Sequence, residues 1–290
     1  MILQYLSHLL ILVGIYAVLG LSFQLTLGYT GLLNLGFIVF YGLGAYTSTL
    51  LTVHGFSFPV SFVLAGVVPM LFAFMIALLV NRLQGDYLAL VTMGISFIIY
   101  AVLMNWTSLT QGPQGIAGIR TPVFFGLALG SKYSYLVFVL LLALFCSFTL
   151  KRILGSPFGK VLEAIRDDEL AIRTLGKNVL KMKMIALGLS GFFAGLAGSA
   201  YAHYISYIDP DSFAFLQLGP VLAIVMIGGL GSLHGTLLAA LIIVILPEPL
   251  RFIDLPASVL GPARQMLYAV TVLLIIMYRP KGISGRVTLE

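Results

Sequence analysis

The chain has 290 residues, of which 60% are hydrophobic and only 9% charged, with a mean hydropathy of +1.08. Soluble domains carry roughly 25% charged residues, so composition excludes an ordinary water-soluble fold. The net charge of +6 does not indicate nucleic-acid binding, because half of the sixteen basic residues fall in one stretch, Lys151–Lys183, and others form a short C-terminal tail.

No Asp, Glu, Lys or Arg precedes Arg82. Runs of about 20 apolar residues are the right length to cross a bilayer. The first, Tyr5–Leu27, has neither a basic flank nor a small-residue cleavage site, so it is expected to be a retained span. The turn Gly28-Tyr29-Thr30-Gly31 separates it from Leu32–Val53. That second run carries Asn34, Gly36, Gly42 and Gly44. Such a pattern fits either close helix packing or a broken helix whose free backbone groups line a substrate path. A third run, Pro59–Val80, ends at Arg82, and Asp86 opens a fourth, Tyr87–Met104. The loop Asn105–Lys132 is rich in Gly and Pro, and its Trp106 suits an interfacial aromatic belt. The fifth run, Tyr133–Leu150, holds the single cysteine, Cys146, which reads as a packing residue with no internal disulfide partner.

Lys151–Lys183 is the most charged part of the chain. Its eight basic residues are joined by Glu163, Asp167, Asp168 and Glu169. Ser156-Pro157 reads as a helix start and Gly176 as its stop, predicting one helix over Ser156–Gly176. Val161, Ile165, Ile172 and Leu175 lie near one face, although Asp168 interrupts it. A helix resting on an anionic leaflet would have a mainly basic polar face. The acidic residues favour instead a docking helix for another protein.

Met184–Tyr204 follows, with small residues at Gly188, Gly191, Gly195 and Gly198. Their intervals keep one stripe on a single helix face, the pattern of close helix contact. The next run, Phe213–Leu246, is too long for one span and is broken at Gly228-Gly229-Leu230-Gly231-Ser232. Basic residues mark the cytoplasmic side of a membrane protein. If Lys151–Lys183 and the tail beyond Tyr278 share that side, the broken run must cross twice or return as a re-entrant pair. The last run is Ala263–Tyr278. The expectation is an all-α polytopic membrane protein with about nine transmembrane helices (8–10), some broken by glycine. It forms a single transmembrane domain: 1–150 as a first membrane block, 151–183 as a cytoplasmic loop, and 184–290 as a second block, with the C-terminus cytoplasmic.

Enzymatic signatures are weak. Gly155–Lys160 is one residue short of a phosphate-binding loop and lacks the Ser/Thr that would hold Mg²⁺. The four histidines lack metal-site spacing, and His203, Asp209 and Glu248 could meet only through folding. No Asp, Glu, Lys or Arg lies mid-span as a proton or ion relay, which disfavours an ion-coupled secondary transporter.

Several segments, taken in order, carry a family likeness. They are Leu27–Gly31 with Leu35-Gly36 and Gly42–Tyr46, Asn105–Thr110 with Gly112-Pro113, Gly159–Arg166 through Leu175-Gly176, Ser199–Tyr204, Asp209–Phe213, Gly228–Ser232 and Arg279–Gly282. Together they resemble the M-type (LivM-like) permease subunits of branched-chain amino acid ABC importers. The likeness implies a permease in a prokaryotic inner membrane, carrying Leu, Ile or Val by alternating access. Related permeases carry urea, short amides or aromatic acids. The implied partners are an H-type permease, two cytoplasmic ATPases that hold ATP and Mg²⁺, and an extracytoplasmic solute-binding protein. The chain itself is expected to bind no cofactor or metal. Expected ATPase-coupling residues are Glu163, Ala164, Ile165, Arg166, Glu169 and Gly176. The expected translocation path involves Gly28, Tyr29, Asn34, Gly42, Gly44, Gly228, Gly229 and Gly231.

Overall fold

The structure is a computed structural model that describes residues 2–79, 86–124, 127–252, 256–279 and 281–285. Arg82 and Pro280 lie outside the described residues. The protein is a multi-pass membrane protein built almost wholly of helices. In order these are α1 (Ile2–Gln24), running into a π-helical turn (Leu25–Tyr29), α2 (Ile38–Val53), α3 (Phe58–Leu79), α4 (Asp86–Asn105), a single turn α5 (Thr107–Thr110) and α6 (Lys132–Leu154). Two short helices, α7 (Pro157–Asp167) and α8 (Glu169–Thr174), precede α9 (Val179–Ile205), α10 (Leu218–Gly228), α11 (Leu233–Ile245) and α12 (Ala257–Tyr278). Six helical stretches among the described residues are long and apolar enough to cross a membrane, and Ile38–Val53, Phe215–Gly228 and Val259–Ile275 are shorter apolar helices.

The all-α expectation needs one small amendment. The Gly/Pro-rich loop after α4 forms two-residue strands: β1 (Ile116–Ala117) pairs antiparallel with β4 (Tyr207–Ile208), and β2 (Val123–Phe124) with β3 (Leu127–Ala128). These ribbons cap one end of the bundle.

α1 is the central helix. Ile11, Ile15, Val18, Leu19, Leu21 and Phe23 are almost completely buried, against α6, α9, α10 and α11. Its polar residues are bonded inward, as when the Ser190 hydroxyl of α9 donates to Ser22 O at 2.7 Å. In a bilayer no water is available to satisfy a loose polar group, so such bonds are the rule.

The small-residue stripe of α9 faces α2 and α3. A Cβ at Gly191 would lie 2.9 Å from Pro69 O, and one at Gly195 or Gly198 would overlap the carbonyls of Ala65 or Tyr41. From the other side, a Cβ at Gly44 would overlap the Gly195 backbone. Backbones approach this closely only where side chains are absent. Of the two readings of the second run, close helix packing holds at Gly44, and the break falls earlier, around Asn34 and Gly36. α2 is continuous through Gly42 and Gly44, and the non-helical part precedes it, at residues 31–37.

Contacts sort the chain into two ends. At one lie Tyr5, which donates to Glu248, and His8, whose Nδ1 is 2.6 Å from the Tyr204 hydroxyl. The β1–β4 ribbon belongs to this far end. At the other, charged end lie α7, α8, the segment after the π-turn, the α10–α11 turn and the tail 281–285.

Candidate functional site

The charged end is built first by α7 and α8. Pro157 at the first helical position and extended Ser156 start α7, but the Ser156 hydroxyl donates backward to Ile153 O at 2.6 Å instead of capping. The phosphate-loop lookalike is therefore a helix–helix corner, in which a Cβ on Gly159 would overlap the Leu154 backbone. The single helix expected over Ser156–Gly176 is two. Asp168 breaks it in an extended conformation, and its carboxylate accepts from Ala171 N at 3.0 Å to cap α8. A short acid that competes for backbone amides is a natural helix starter, which is why Asp168 spoiled the apolar face when read as helix interior.

Leu162 and Ile165 are buried, whereas Leu170 and Leu175 are 67% and 72% exposed. Glu169 is engaged within the chain, accepting from Arg173 at 2.6 Å and from Lys183 at 2.7 Å. Partial burial raises its pKa, but the Lys183 and Arg173 bonds outweigh that and hold the carboxyl below the usual range. Lys183 belongs to the second turn of α9, so the charged loop ends earlier than its composition suggests. Glu163 is half-buried, with no ion pair among the described residues, and Ala164 lies beside it. Gly176 ends α8 with a positive φ of 74°.

Arg166 turns toward the membrane body. Only 16% exposed, it donates from Nη1 to Gly28 O at 2.8 Å while its other nitrogens hold Asp167. Gly28 and Tyr29 lie in the π-turn that ends α1; such turns are frequent at functional sites. The Tyr29 hydroxyl donates to Gly231 O at 2.8 Å, and the fully buried Gln24 donates from Nε2 to Gly229 O at 2.8 Å. Both acceptors belong to the turn between α10 and α11, where Gly229 and Gly231 adopt φ of 92° and 78°. Those angles suit glycine and strain other residues. The carbonyls that end α10 are bonded from the C-terminal tail: Ile283 N to Ile227 O at 2.8 Å, and Ser284 N to Gly228 O at 3.2 Å. Helix ends leave such carbonyls without internal partners.

Of the eight expected pathway residues, Gly28, Tyr29, Gly228, Gly229 and Gly231 meet at this junction. Asn34 lies in the segment after the π-turn, fully buried, accepting from Gly36 N at 3.0 Å, with its Nδ2 unpartnered among the described residues. Gly42 and Gly44 sit apart, against Phe213 and Gly195. A cleft of about 440 Å³ lies between the segment after the π-turn, the start of α4, and α7 and α8; Gly31, Asp86, Arg166, Asp168 and Lys183 are among its lining residues.

Sequence reasoning missed Gln24, which is hidden within an apolar run, and a buried polar chain near the far end. There Ser199 donates to Ser48 at 2.7 Å, the Ser48 hydroxyl is 2.9 Å from His203 Nε2, and His203 Nδ1 is 3.2 Å from Arg120 O. His203 is thus a buried tie and not an interfacial side chain. Asp209 caps its own turn through Ser212, and Glu248 meets Tyr5, so the three residues are engaged separately.

A helical membrane body, a capped charged corner at one end and a glycine turn held beside it characterise this multi-pass membrane protein. The chain belongs to the family described as branched-chain amino acid transport system / permease component, whose model matches residues 5–278. It is 37% identical over 295 residues to the high-affinity branched-chain amino acid transport system permease protein LivM of Salmonella typhimurium, covering 93% of this chain and 67% of that protein. Identity to LivM of Escherichia coli is 36% with the same coverage. A probable LivM from Methanocaldococcus jannaschii is 25% identical, with 96% and 92% covered. No solved structure matches.

Proposed function

We propose that this chain is one of two permeases of an ABC importer that moves Leu, Ile or Val into the cell by alternating access. An H-type permease shares the membrane, two ATPases dock on α7 and α8, and a solute-binding protein delivers cargo at the far end. The chain holds no ATP; Mg²⁺ and nucleotide belong to the ATPases. The observation that carries this reading is the capped corner α7–α8, which exposes Leu170 and Leu175 at its surface while Arg166 reaches Gly28. Exposed leucines flanked by charge suit insertion into a partner's groove. Glu163 is assigned as the docking carboxylate, since Glu169 is already bonded to Arg173 and Lys183.

In this reading the nine apolar helices (α5, α7 and α8 excluded) cross alternately. The N-terminus is then extracytoplasmic and the C-terminus cytoplasmic, in a prokaryotic inner membrane. Support comes from the two ends already described, with Tyr5 beside Glu248 and the tail beside the α10–α11 turn. An apolar groove of about 560 Å³ between α10 and α12 also fits passage of an aliphatic side chain.

The decisive experiment reconstitutes the chain with its partner permease, ATPases and binding protein in proteoliposomes. ATP-dependent uptake of radiolabelled leucine is expected, and the isolated chain should hydrolyse no ATP. Hydrolysis by the isolated chain, or uptake without the ATPases, would sink the proposal.

A further inference from the structure

We infer that Gln24, Tyr29 and Arg166 are positioning residues that transmit movement of α7 to the glycine turn between α10 and α11. The inference rests on the permease reading and adds to it the physical route of coupling. Residues 227, 228, 229 and 231, at and after the end of α10, present carbonyls to partners distant in sequence. Two accept from backbone amides of the tail, one from Gln24 and one from the Tyr29 hydroxyl. Gln24 and Tyr29 bracket the π-turn, and the carbonyl of Gly28 inside that turn accepts from Arg166. A displacement of α7 therefore pulls on Gly28, and through Gln24 and Tyr29 on the turn.

The close fit at each step supports a stiff linkage. A Cβ at Gly28 would sit 2.9 Å from Gly231 N, one at Gly31 2.9 Å from Arg166 Cγ, and one at Gly282 2.7 Å from the Gly229 backbone. Packed interiors of this kind switch between discrete arrangements and do not deform continuously. In this linkage the turn is the element that moves. Gly229 and Gly231 accept backbone angles closed to other residues, so α10 and α11 can re-angle about them. Coupling claimed along such a path requires that both ends bias the same element. Here one end biases it through the Gln24 and Tyr29 bonds, which Arg166 reaches by way of Gly28, and the other by the helices it joins.

The test uses the complete complex in proteoliposomes, comparing wild type with Tyr29→Phe, Gln24→Leu and Arg166→Gln. Tyr29→Phe removes one hydroxyl and keeps the ring, so it separates the bond from the packing. Assembly is read by co-purification of the ATPases, and coupling as solute moved per ATP hydrolysed. A ratio lowered at least about fivefold, the lower end of coupling between linked sites, with assembly unchanged, is the expected result. An unchanged ratio in all three variants would overturn the linkage. So would loss of assembly in Tyr29→Phe, which would make the junction a packing contact only. A wild-type complex without ATP-dependent uptake would overturn the permease reading itself, and the linkage with it.

Discussion

Glu163 and Glu169 are both expected coupling residues, and the structure gives them different surroundings. Glu169 ties α8 to α9 through Lys183 and to its own helix through Arg173, whereas Glu163 is half-buried without an ion pair among the described residues. Glu163→Lys is therefore expected to abolish co-purification of the ATPases while the chain stays folded in detergent. Glu169→Gln should leave docking and loosen α8 instead, at a cost of about 1 kcal/mol or less, because a partly solvated ion pair contributes little. The sign of its pH dependence follows from its lowered pKa. The tie is complete above the unfolded-state value near 4.5 and is lost as pH falls through the lower folded-state value. The two glutamates were legible in the sequence, but their division of labour was not. It depends on Lys183, which composition assigned to the loop and the structure assigns to the second turn of α9.

Among whole elements, α9 shows why a pattern can be read while its partner cannot. The stripe of Gly188, Gly191, Gly195 and Gly198 follows from intervals along the chain, since helical periodicity is a local property. That α2 and α3 flank it, with Gly44 of α2 meeting Gly195, depends on tertiary packing. The same limit left two readings open for α2. A hinge glycine and a packing glycine look alike in sequence, and only the neighbour distinguishes them. Gly195→Val should drive branched carbons into the Ala65 carbonyl and the Pro69 ring. Overpacking typically costs about 1–3 kcal/mol, and rigid backbone on both sides puts this site at the upper end. Loss of monodisperse protein in detergent size-exclusion chromatography is the expected readout. Gly94→Val is the control, since a Cβ there would meet no atom within 4 Å.

For the molecule as a whole, the fold followed from composition because a bilayer leaves few options: every buried backbone group must be bonded within a helix or a closed sheet. Charge parity also pointed to Gly228–Ser232, where α10 and α11 now stand on either side of the turn. Hydropathy could not say whether they cross or return. At about 1.5 Å per residue, the 11 residues of α10 reach roughly 16 Å, half of a core about 30 Å thick. The short 3₁₀ turn Phe215–Gln217 lengthens it, and α10 packs against α1, α11 and α12. α11 begins beside the end of α1 and leads to Glu248, which meets Tyr5 near the start of α1, so the two run antiparallel over the same depth. The proposed topology has both α10 and α11 crossing, and it places the two chain termini on opposite sides of the membrane. Single-cysteine labelling checks this in intact cells, because native Cys146 is fully buried and gives little background. Leu3→Cys and Thr107→Cys should react with a membrane-impermeant maleimide, whereas Lys177→Cys and Ser284→Cys should react only after permeabilisation. Reaction of Leu3→Cys and Lys177→Cys under the same condition would put an even number of crossings between them and overturn the alternating path proposed for α1, α2, α3, α4 and α6.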